Sequence, residues 1–151
     1  RISEHVSFKE GVKSHTATRL NIDNAPSSLD LINMTTIAEK VFEPLRKFVG
    51  GPIAINSFYR SPKLNSAIGG STSSQHCSGR ALDIDDKYGY KTNAEMFKYI
   101  QCNLDYDQMI WEFGDVNNPD WVHVSYVSED VNRRRCLIAY KENGKTKYKV
   151  I

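Results

Sequence analysis

Ser74-Gln75-His76-Cys77-Ser78-Gly79-Arg80-Ala81-Leu82-Asp83-Ile84-Asp85 carries a polar loop directly into a strand. From Ala81 onward, apolar Leu82 and Ile84 alternate with acidic Asp83 and Asp85, the period of two that a half-buried strand shows. His76 stands ahead of that strand and Asp83 lies on it. Gly79, between them, supplies an unusual backbone angle or a close approach. The stretch predicts a loop-to-strand passage that aims an imidazole and a carboxylate at one point.

The pattern changes on moving outward. Upstream, Ser7-Phe8-Lys9-Glu10 reads as a capping box, with a short helix to about Ala17. Residues 21–28, NIDNAPSS, form a turn cluster. Leu31, Met34, Ala38, Val41, Phe42, Leu45, Phe48 and Val49 then recur at helical spacing, a stripe that belongs in the core. Ser27 or Ser28 can cap this helix and Gly50-Gly51-Pro52 stops it. Pro44 conflicts with an unbroken helix and predicts a kink. Residues 52–58 read as a strand, and residues 61–69 as a short helix or turn entering the loop GGSTSSQ.

Downstream, residues 93–104 form a second amphipathic helix with Asn93 as candidate cap. Residues 107–113, 121–127 and 136–142 read as strands, and Asn143-Gly144 is a hairpin signal leading into residues 145–151. Helices come early and strands cluster late. The expected fold class is α+β: one domain over residues 1–151, with an antiparallel sheet and helices packed on one side.

The chain has 151 residues, 40% hydrophobic and 25% charged, which fits a folded globular domain and excludes global disorder. No apolar run approaches the roughly 20 residues of a membrane span, and the start lacks the apolar segment of a signal peptide. The chain begins without Met, which leaves room for a segment removed ahead of it. Three cysteines, Cys77, Cys102 and Cys136, at wide spacing suggest neither a disulfide framework nor a cysteine zinc site, and favour a reducing compartment.

The formal net charge is +2. Seven Lys and Arg against one acid follow Val131, which leaves −4 for the rest. That basic end reads as a solvated strand edge. A nucleic-acid partner is not expected, and a monomer is.

Of the four histidines, His5 and His15 lie in the N-terminal helical part with no acidic cluster around them in sequence and read as surface residues. His76 and His123 differ. In a strand over residues 121–127, Trp121, His123 and Ser125 share one face. A catalytic zinc ion takes three protein ligands and leaves one position for water, and His76, Asp83 and His123 are a plausible facial set. Spacing alone leaves a second reading open, in which each histidine is hydrogen-bonded within a polar core.

Ser74-x-His76-x-x-Gly79-x-Ala81-x-Asp83, followed some forty residues on by His123, resembles the SxHxxGxAxD…H signature of the zinc DD-peptidases. That family includes D-Ala-D-Ala carboxypeptidases, D-Ala-D-Ala dipeptidases and phage L-alanyl-D-glutamate endopeptidases, and shares its fold with the hedgehog signalling domain. Asn56-Ser57-Phe58-Tyr59-Arg60-Ser61-Pro62 resembles the family's arginine segment.

The resemblance implies a hedgehog/DD-peptidase-like fold, Zn²⁺ as cofactor and a peptidoglycan stem peptide as substrate. His76, Asp83 and His123 would be the metal ligands, and the ion would activate a water molecule for attack on an amide carbonyl. Asp120, three positions before His123, would be the general base, with Glu112 as its rival. Arg60 would stabilise the oxyanion or bind substrate. Ser74 would hydrogen-bond substrate, and Trp121 would wall the pocket or pack in the core. Cys77 follows a ligand without being one.

The closest likeness is to carboxypeptidase-type domains of bacteria and their phages, so D-Ala-D-Ala carboxypeptidase-like cleavage is expected. Endopeptidase action and a non-catalytic zinc-containing module are the alternatives. A phage or prophage origin would fit a wall-directed enzyme with no visible export signal, and so would a removed leader.

Overall fold

The computed structural model describes residues 1–151. The expected N-terminal helix is two short ones, α1 (Phe8–Val12) and α2 (His15–Leu20). Ser7 and Glu10 do form a capping box, but the chain is extended at Lys13 and restarts with Ser14 as a new cap. The long helix begins as α3 (Ser28–Ile37), where the Ser27 hydroxyl accepts from the Asp30 N–H and the Asp30 carboxylate returns the bond.

It then widens into a π-helical turn over Ala38–Phe42 and resumes as α4 (Glu43–Val49). Pro44 explains the widening. It has no N–H for the Lys40 carbonyl, and its ring would strike that carbonyl in a tight helix. A single widened turn removes the conflict without breaking the element. Met34, Ile37, Ala38, Val41, Phe42, Leu45 and Val49 are all buried on it.

β1 (Ala54–Ser57), α5 (Pro62–Ala67), a 3₁₀ turn at Gln75–Ser78 and β2 (Ala81–Asp85) follow. Next come α6 (Asn93–Asn103), β3 (Gln108–Glu112), β4 (Trp121–Ser125), β5 (Arg135–Glu142) and β6 (Lys145–Val150). Thr92, not Asn93, caps α6. Asn93 is instead buried, with its Nδ2 donating to the Asp85 carboxylate and the Asp120 carbonyl. It ties the end of β2 to the entry of β4.

The six strands form one sheet in the order β1-β2-β4-β3-β5-β6. All neighbours are antiparallel except β3 and β5, which run parallel. The exception follows from the route of the chain. β4 ends beside the start of β3, and the Arg134 and Arg135 N–H groups bond the Tyr106 and Asp107 carbonyls as the chain passes beneath that start. β5 therefore begins where β3 begins. Asn143 and Gly144 both have positive φ in the β5–β6 hairpin, as a two-residue type I′ turn requires.

Leu82, Ile84, Met109, Val122 and Val124 face the helices and share the core with Met34, Phe42 and Leu45. Alternation leaves Asp83, Ile110, Glu112 and His123 on the opposite face. One face of the sheet thus holds the fold together and the other is free for chemistry.

Gly79 locks these layers. Its φ of +75° is left-handed, and a Cβ there would stand 2.6 Å from the Asp30 carbonyl oxygen and 2.6 Å from Met34 Cγ. Gly79→Ala is expected to lower stability by about 2–5 kcal/mol, since backbone strain and forced separation from α3 add. Urea denaturation measures this, and a loss below about 0.5 kcal/mol would refute the packing account.

Candidate metal centre

The sheet register builds the site in rows. Asp83 pairs with His123, and His123 pairs with Ile110. One strand repeat away, Trp121 pairs with Glu112. On the other side, Gln108 and Ser125 form the next row, tied by the Ser125 hydroxyl accepting from the Gln108 N–H at 3.0 Å. Successive rows lie about 7 Å apart. His76 reaches the Asp83–His123 row from its 3₁₀ turn, which the Ser74 hydroxyl caps by accepting from the His76 N–H.

His76 is 2% exposed. Its Nδ1 lies 2.7 Å from the Phe58 carbonyl oxygen, which only accepts, so Nδ1 carries the proton. That leaves a lone pair on Nε2, which is buried and has no hydrogen-bond partner. It faces Asp83 Oδ2 at 3.3 Å, while His123 Nδ1 lies 3.0 Å from Asp83 Oδ1. With the ring neutral, two lone pairs in such contact repel unless a proton or a metal cation lies between them.

One ligand atom from each of the three residues lies within 4.8 Å of the others. Ligands bound at about 2.0–2.1 Å to a tetrahedral ion sit about 3.3 Å apart, so the set fits zinc. The carbonyl bond at Nδ1 is the orienting contact that metal-binding histidines characteristically have. Burial alone would raise the Asp83 pKa, but the His76 and His123 imidazoles beside it, when they carry the proton that faces it, hold the carboxyl below its usual range.

The three residues line a cavity of about 800 Å³ together with Arg60, Ser74, Gln75, Gln108, Glu112, Trp121 and Arg133. Arg60 is half-buried, with Nη1 donating to Asn65 Oδ1 at 3.1 Å. Buried Asn65 in turn donates to the Ser71 carbonyl, so the loop after α5 fixes the guanidinium. Gly70 is required beside them, because a Cβ there would stand 2.0 Å from Asn65 Oδ1. Trp121 packs at a tilt on Phe113, with ring centroids 5.6 Å apart, and stands at the cavity wall.

Asp120 does not join this group. Its side chain is exposed and is not among the residues lining the cavity. The cause is strand geometry. A residue three positions before His123 shares its face on a helix but takes the opposite side on extended chain. Glu112 is on the cavity face and 8% exposed. Burial pushes its carboxyl up to about 7, with Asp83 adding to the rise and His123 opposing it.

Asn65, Asp107 and Arg133 carry no signal in the sequence, and Asn93 signals only a helix cap. Asp107 and Arg133 each carry a charge beside a strand start, which without the register looks like ordinary surface. A second group, Glu4, His5 and Glu43, also brings ligand-type atoms together near α1, but His5 and Glu43 are already paired at 2.6 Å.

A family model described as Peptidase M15 matches residues 4–125, which include every residue of the His76–Asp83–His123 cluster. A search of curated proteins found no match.

Proposed function

The chain belongs to the Peptidase M15 family, and from that premise we propose that it hydrolyses peptidoglycan stem peptides as a zinc-dependent, D-Ala-D-Ala carboxypeptidase-like enzyme. The observation that carries this reading is the unpartnered Nε2 of His76 facing Asp83 beside His123. Three convergent ligands with an open cavity before them suit a catalytic rather than a closed structural site.

The chemistry that zinc supplies there when bound is Lewis acidity toward water and the amide carbonyl. The rest belongs to the chain. Phe58 holds His76 in the tautomer that presents Nε2. Glu112, rather than Asp120, takes the proton of the attacking water and delivers it to the leaving amine nitrogen. Burial raises this carboxyl's pKa in the metal-free chain, and a cation beside it favours the ionised form, so Glu112 can accept the proton and return it. Arg60 offers the N–H groups not used by Asn65 to the carbonyl oxygen as negative charge develops on it. Trp121, backed by the Phe113 ring, walls one side of the cavity.

Mass spectrometry of defined muropeptides incubated with zinc-loaded protein tests the reading. Release of the terminal D-Ala is expected. A cut after L-Ala would move the activity to the endopeptidase alternative. Intact peptides throughout would leave the non-catalytic module as the better account.

A further inference from the structure

The cavity holds a second guanidinium that the proposed chemistry does not use. Arg133 lies just before β5, lines the cavity, and keeps 51% of its side chain exposed. It is nevertheless held firmly. Its Nε donates to Asp107 Oδ1 at 3.0 Å and its Nη2 to Oδ2 at 2.8 Å, and its backbone N–H adds a bond to Oδ1. Asp107 is 2% exposed and also accepts from Gln75 Nε2 at 2.9 Å.

Four donors therefore saturate this carboxylate. Burial alone would raise its pKa, but the Arg133 and Gln75 bonds bring it below the usual range. Gln75 is the neighbour of His76, so the pair is anchored to the turn that carries a metal ligand. A fork–fork pair fixes one edge of a guanidinium and leaves the other directed outward. Here that free edge is Nη1, which has no protein partner.

Arg133 stands beyond the Gln108 row, on the far side of the Asp83–His123 row from Glu112. The Gln108 row is about 7 Å from the Asp83–His123 row, and Arg133 sits one repeat beyond it. Roughly four residues of extended peptide span that distance of about 14 Å, or fewer where the Arg133 side chain reaches back. We propose that Arg133, clamped by Asp107 and Gln75, is the residue that recognises a carboxylate of the substrate, within about four residues of the bond that is cut. This rests on the peptidase reading above and adds to it a reason for preferring acidic over neutral peptides. A preorganised fork loses little entropy when it binds, so its selectivity falls on carboxylates. The stem peptide offers two sources, the C-terminal D-Ala carboxylate and the α-carboxylate of D-Glu.

Calorimetric titration of zinc-loaded Glu112→Gln protein separates binding from turnover. The probes are L-Ala-γ-D-Glu-L-Lys-D-Ala-D-Ala, its C-terminal amide, and the form with D-Glu amidated at its α-carboxyl. Tenfold or weaker binding of one amide relative to the free acid is expected, and which amide loses affinity identifies the carboxylate. Adding Arg133→Gln should erase that difference, and Arg133→Lys should restore only part of it. Because Arg133→Gln leaves Asp107 short of donors, Arg133→Gln with Asp107→Asn serves as the folded control and should give the same erasure.

Equal affinities for all three peptides, or a preference that survives both Arg133→Gln proteins, would overturn the proposal. So would absence of binding to every probe at millimolar concentration. Cleavage of the same peptides by the unmutated protein is scored separately. Binding discrimination without cleavage would leave Arg133 assigned and sink the peptidase reading, while cleavage without discrimination would do the reverse.

Discussion

Glu112→Gln is expected to lower kcat by about 10²–10⁴-fold while zinc content stays at about one per chain. Gln keeps the size and one acceptor of Glu but cannot take a proton. Glu112 lines the cavity and is not one of the three clustered ligand residues, so metal retention and lost turnover should separate cleanly. Asp120→Asn, by the same geometry, should stay within a few-fold of the unmutated enzyme. If Asp120→Asn is the inactive protein and Glu112→Gln the active one, the assignment is reversed.

A second readout avoids activity altogether. The Glu112 carboxyl has an ordinary value of 4.5 and is pushed by burial to about 7 in the folded chain. The folded state therefore binds this proton more tightly than the unfolded state. The resulting stability is fully present below pH 4.5 and is lost as pH rises through 7, a contribution of up to about 3 kcal/mol. Urea unfolding of metal-free protein at pH 5 and pH 8 should show that share of the loss in the unmutated chain and not in Glu112→Gln. Identical slopes for the two proteins would contradict the buried, proton-holding carboxyl.

Removing one imidazole has the other large effect. His76→Ala should abolish stoichiometric zinc and with it measurable hydrolysis. In the unmutated protein, zinc at a thousand times its Kd stabilises the fold by about 4 kcal/mol, seen as a rise in Tm, and the variant should lose that rise. His123→Ala should behave likewise, which guards against a local packing defect at the buried His76 site. His5→Ala tests the Glu4–His5–Glu43 group and should leave the tightly held zinc unchanged. A His76→Ala protein that keeps one zinc per chain and the full rise in Tm would remove the foundation of the metal assignment.

Much of this molecule was legible in residue order, because the signals involved are local. Ser7 with Glu10 and Ser27 with Asp30 cap their helices through bonds three residues apart. The alternation of residues 81–85 fixes which side chains leave the sheet on the same side, and Asn143-Gly144 dictates a hairpin through its own backbone preferences. The compact pattern of His76, Gly79 and Asp83 was legible too, and the fold brings its imidazole and carboxylate beside His123.

What the order of residues could not determine is which strand lies beside which. Glu112 and Asp120 are both acids near His123, and only the register decides between them: the β3–β4 pairing seats Glu112 beside Trp121 on the cavity face, while an odd offset sends Asp120 to the other side. Arg133 acquires a place in the cavity only because the chain passes beneath the start of β3 and meets Asp107 there. Pairings of this kind depend on the summed packing of the whole sheet against α3, α4 and α6, which no single segment encodes.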